Sequence, residues 1–150
     1  MNGKGKDVRL YNALFPFWFI LFIPQMWLII LPGNFIIDSI VLIISMFVLK
    51  VADKKQWYKK SILTIFTFGL IADAVGSAYM FLMMALGIGR MGDEPYLTIP
   101  ALVISAFLIF ILNYYVTFKK AEKNIRFKLS LIFAIATAPY TFLVPSSWIY

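Results

Sequence analysis

Two aspartates, Asp38 and Asp73, stand inside long apolar runs of this chain. An ionised carboxylate in such a setting costs several kcal/mol unless it is paired, hydrated or protonated. Asp73 lies within Phe68-Gly69-Leu70-Ile71-Ala72-Asp73-Ala74-Val75-Gly76-Ser77. Gly69, Asp73 and Ser77 recur every four residues, with Ala72 and Gly76 beside them, so one helix face carries small residues that let another helix approach closely. Two readings stand for Asp73. It can hold a proton or small cation, or it can serve as an interhelical hydrogen bond that ties a bundle together.

Asn34 lies one turn before Asp38 on the same helical face and can add a ligand. Thr137, Pro139 and Tyr140 sit together further along. Pro139 frees a carbonyl one turn earlier, and that carbonyl beside Thr137 and Tyr140 can line a polar cavity or be satisfied locally by Thr137. The candidate ion- or ligand-binding set is therefore Asp73, Asp38, Asn34, Ser77, Tyr140 and Thr137. Gly69, Ala72 and Gly76 are expected to serve helix packing. Gln25, Ser105 and Asn113 are further polar positions, Asn113 being expected at an interface.

The elements that position these residues follow from charge. Of the 14 Lys and Arg residues, all but Arg90 fall into three clusters: Lys4 to Arg9, Lys50 to Lys60 and Lys119 to Lys128. These alternate with apolar runs, the pattern that keeps positive loops cytoplasmic. The fold expected is an all-α integral membrane protein, a single domain of five transmembrane helices near residues 11–31, 34–51, 61–88, 98–116 and 129–148. The N-terminus would be cytoplasmic and the C-terminus outside. Leu31-Pro32-Gly33-Asn34 reads as a tight turn joining the first two spans. Trp57, Tyr58, Tyr114 and Tyr115 suit the inner interface, and Trp27 and Tyr96 the outer one.

The clusters also act as rulers. Asp38 lies about twelve residues from Lys50 and Asp73 about thirteen from Lys60, so both carboxylates stand roughly 18–20 Å above the lysine-rich surface. A shared site at one depth results if the two spans pack together. Asp38 taken alone also reads as a residue touching water, one turn from the outer end of a short span.

Composition agrees with the class. The 150 residues are 62% hydrophobic and 18% aromatic, with a mean hydropathy of +0.86, where a soluble domain is about 45–50% apolar. The net charge of +7 sits in short loops, which points to anionic lipid head groups at the inner face rather than nucleic acid. No Cys and no His are present, which excludes disulfides, thiolate chemistry, imidazole metal sites and His-based catalysis. No cofactor or metal site is expected, and the composition suits a bacterial plasma membrane.

Gly69-x-x-x-Asp73-x-x-Gly76 resembles part of a loop motif of major facilitator transporters. It stands inside a span and lacks that motif's basic residues, so no functional residue carries over. The function expected is a small transporter, channel or permeation subunit with its carboxylate site centred on Asp73, self-associating or joined to a partner. The alternative is a non-transporting module that docks with, stabilises or regulates a larger membrane complex, including immunity-type proteins. An enzyme would have to use Asp38 and Asp73 as its dyad, and no Gly-x-Gly-Asp-like element accompanies them.

Overall fold

A computed structural model describes residues 23–88 and 94–144. The first basic cluster, most of the first expected span, Arg90, both chain termini and residues 145–150 lie outside these. Among the described residues every regular element is helical. A short 3-10 turn, Pro24–Met26, leads into α1, Trp27–Val48. Then come α2, Lys54–Ala85, and α3, Pro95–Leu112, which continues into a π turn, Asn113–Thr117. Helix α4, Lys123–Ala136, is succeeded by a 3-10 turn, Tyr140–Leu143. Three stretches are long and apolar enough to cross a membrane: Pro24–Val48, Lys54–Ala85 and Pro95–Thr117.

Two expected boundaries change. Helix α1 runs unbroken through Leu31-Pro32-Gly33-Asn34, so the expected turn there is absent and the second span begins earlier. In an apolar medium a helix satisfies its own backbone groups, whereas a turn exposes several, and one proline removes only one hydrogen bond. Asp38 consequently sits about three turns into α1 rather than near its end, and it is only 4% exposed. The fifth expected span is not one helix either. α4 stops at Ala136, ahead of Pro139.

The ends of the helices are built locally. Gly87, at φ +71, closes α2, with Ile88 N–H donating to Met83 O and Gly87 N–H to Met84 O, both at 3.0 Å. This paired pattern satisfies the last carbonyls of a helix. Lys50, at φ 51, closes α1 in the same way, its successor Val51 donating to Met46 O at 3.0 Å.

Partners between α1 and α2 run in opposite directions. Asn34 meets Asp73, Asp38 faces Gly69, Phe35 stacks edge-on to Phe66, and Ser39 shares a 2.9 Å hydrogen bond with Tyr58. The core divides in two. Toward the lysine-rich end, Leu42, Met46, Ile65, Ile109, Phe118, Leu129 and Phe133 pack together. Toward the other end, Met80, Leu97, Ala101 and Phe142 form a smaller cluster. Between them, by position along each helix, lie Asp38, Asp73, Ser105 and Thr137. The outer surface of α1 is strongly apolar, with Leu28 80% and Ile29 71% exposed. A surface of that extent suits lipid rather than water.

The contact between α2 and α3 depends on Gly76. A Cβ at this position would collide with Ser105 Oγ and the Phe142 ring. Ser105 is wholly buried and donates to Ala72 O at 2.9 Å. Ala72 and Gly76 thus take the packing role that their spacing predicts. Replacing Gly76 by Ala is expected to cost about 1–3 kcal/mol through overpacking. Gly33, by contrast, has nothing within 4 Å of its Cβ position. Gly33→Ala is therefore expected to add about 0.5–1 kcal/mol of stability, since alanine is the better helix residue. Unfolding in detergent, monitored by circular dichroism, checks both. A loss of stability in Gly33→Ala would mean that residues 31–34 form a turn after all.

Candidate functional site

Residues from three parts of the chain enclose a cavity of about 230 Å³. α1 contributes Asn34, Ile37 and Asp38, and α2 contributes Gly69 and Asp73. The end of α4 and the segment after it contribute Ala136 to Thr141. Of the six residues singled out for binding, five line this one cavity: Asn34, Asp38, Asp73, Thr137 and Tyr140. The sixth, Ser77, does not. It is buried one turn beyond Asp73, with a hydroxyl that has no hydrogen-bond partner in the chain. At the neighbouring Gly76 a Cβ would meet Ser105 and Phe142, so this part of α2 is closely packed.

Each carboxylate is placed by its helix. Asp38 belongs to the buried stripe of α1 with Leu42, Ser45 and Met46, the spacing of one helical face. Its Oδ2 lies 3.6 Å from where a Cβ of Gly69 would stand, an ordinary van der Waals contact, so the carboxylate packs against this face of α2. Asp73 is half-buried and accepts a hydrogen bond from Asn34 Nδ2 at 3.2 Å. Asn34 and Asp38 are one turn apart, so one face of α1 presents an amide and a carboxylate to Asp73. Among the described residues no lysine or arginine lines the cavity, and no third acid, His or Cys joins the pair to make a metal cluster.

The remaining wall is irregular backbone. Thr137 ends α4 with both its amide and its Oγ1 donating to Phe133 O, at 3.0 and 2.8 Å. That is the local satisfaction which the sequence left open as one alternative. Pro139 cannot donate to Ile135 O, four residues back, and the Tyr140 hydroxyl donates to that carbonyl instead. Pro139 therefore ends the helix rather than bending it, and Tyr140 repairs the break. Broken helices of this kind offer backbone carbonyls where they border a cavity.

Several polar residues outside the candidate set carry structure. Ser105 bridges α2 and α3, and Ser39 and Tyr58 tie α1 to α2. Asn113, expected at an interface, is fully buried and donates to Ile109 O at 3.0 Å. Asn113 continues the buried stripe of α3, following Ala101, Ser105 and Ile109 at a spacing of four residues. Thr141 lines the cavity and drew no notice in the sequence because it lies beyond the proline.

In comparison with known proteins, the chain matches no protein-family model, no curated protein and no solved structure at a significant level.

Removing the Tyr140 hydroxyl isolates the repair at the broken helix. Tyr140→Phe leaves Ile135 O without its donor, and a loss of about 0.5–1.5 kcal/mol in unfolding stability is expected. A loss below about 0.3 kcal/mol would show that the carbonyl finds another donor.

Proposed function

We propose that the chain binds a small cation or a proton at the Asp38–Asp73 pair and conducts it across a membrane. It would act as a small transporter, channel or permeation subunit, moving the ion alone or together with a small polar solute. The observation that carries this reading is the convergence of two carboxylates on one cavity whose described lining holds no positive side chain. Two such groups away from bulk water are costly unless a proton or cation joins them. Asn34 holds one carboxylate in place, and the broken segment 136–141 supplies further oxygen ligands. The protein would be multi-pass, in a bacterial plasma membrane, with the lysine-rich end cytoplasmic. The segments carrying Lys50 to Lys60 and Lys119 to Lys128 meet at that end, where Trp57 stacks on Phe118.

The alternative of a docking module is less well supported. The small-residue face of α2 that it would use is covered within the chain at Ala72 and Gly76.

The test is flux in proteoliposomes, with Na⁺ and K⁺ gradients and an internal pH dye as probes. Asp73→Asn should lower flux by at least roughly tenfold, a barrier change of about 1.4 kcal/mol, with unaltered circular dichroism. Asp38→Asn should act in the same direction. Undiminished flux in Asp73→Asn contradicts a role for the pair in permeation. A change confined to the recovery of associated proteins would favour the docking module.

A further inference from the structure

A second cavity, of about 380 Å³, opens at the lysine-rich end between the first turns of α2 and the π turn after α3. Its lining carries Lys60, Lys119 and Lys120 and no acidic residue. Gln56, Thr64 and Thr117 add neutral hydrogen-bonding groups. The site shares no residue with the Asp38–Asp73 cavity and stands independently of the reading given to that pair.

The local backbone explains how the lysines reach one mouth. In the π turn the Phe118 amide donates to Asn113 O at 2.9 Å, five residues back rather than four. The extra residue rotates the next side chains around the helix axis. Phe118 is driven wholly into the core, stacked on Trp57 at 6.2 Å and packed against Phe133 at 6.0 Å. Lys119 and Lys120, next in the chain, then stand exposed at the rim, across from Lys60 of α2. Thr117 lines the same wall, and its hydroxyl has no hydrogen-bond partner in the chain.

We propose that this cleft binds a phosphate ester group. Three ammonium groups and neighbouring hydroxyls match a phosphate's charge and its several acceptor oxygens. The position favours a phosphate carried on an anionic lipid over one free in solution. The cleft sits where the apolar stretches of α2 and α3 give way to charge, and Trp57 and Val116 offer an apolar wall beside the lysines. Aromatic side chains at that level accompany head groups. The proposal concerns one built site, as distinct from a general attraction of basic loops to an anionic surface.

Native mass spectrometry of the purified chain in detergent tests it, with phosphatidylglycerol, phosphatidylcholine and inorganic phosphate as separate probes. The variant is Lys60→Gln/Lys119→Gln/Lys120→Gln. The control is Lys54→Gln/Lys55→Gln/Lys59→Gln, which removes the same charge from the same end but touches none of the lining. Phosphatidylglycerol should bind the parent chain in preference to phosphatidylcholine. The cleft variant should lose roughly a hundredfold in affinity for it, and the control should lose far less. Failure of inorganic phosphate to compete supports the lipid source. Binding of inorganic phosphate without phosphatidylglycerol keeps the phosphate chemistry and overturns the lipid source. Equal losses in both triple variants overturn the proposal, because charge alone would then account for the binding.

Discussion

Close approach along one face of α2 is the constraint on which the other contacts rest. Glycine at 76 leaves room for Ser105 and Phe142, and glycine at 69 lies in van der Waals range of the Asp38 carboxylate. The two positions lie two turns apart, so they share a face and bring α1 and α3 to the same helix. Without a strong hydrophobic force between helices in lipid, van der Waals contact and interhelical hydrogen bonds must hold them. Ser105 on Ala72 O and Asn34 on Asp73 are bonds of that kind, and the first forms beside Gly76, where a Cβ would collide with Ser105.

The same packing makes polar residues tolerable. Ser45, Thr67, Asn113 and Thr137 each return a hydrogen bond to a carbonyl four residues back in their own helix. Such bonds satisfy a side-chain donor within its own helix. Asp38 and Asp73 differ, since an aspartate has no donor with which to do this when ionised. They lie between the two apolar clusters of the core, on a cavity bordered by a segment where helical backbone gives out.

Much of this was legible in residue order. Apolar runs and their lysine boundaries announced an all-helical chain with helices long enough to cross a membrane. Distances counted from Lys50 and Lys60 put Asp38 and Asp73 at one depth, and both line one cavity. The repeat of small residues around Asp73 marked the packed face of α2. Other features depended on the medium or on tertiary contacts. Pro32-Gly33 carries turn chemistry, but an apolar surround favours the helix that continues through it. Pro139 can either bend or end a helix, and the outcome rests on Tyr140 reaching back to Ile135. The burial of Asn113 follows the four-residue spacing of Ala101, Ser105 and Ile109, whereas the π turn has no composition of its own, so the basic cleft could not be read from spacing.

The central claim is that Asp38 and Asp73 act as one site, and a double-mutant cycle tests it most directly. Asp38→Asn, Asp73→Asn and the double variant would each be measured for unfolding stability in the same detergent. Two carboxylates in one cavity predict an interaction energy of at least about 1 kcal/mol, because removing one changes what the other costs. Effects that add within about 0.3 kcal/mol would contradict the claim, since independent sites behave in that way.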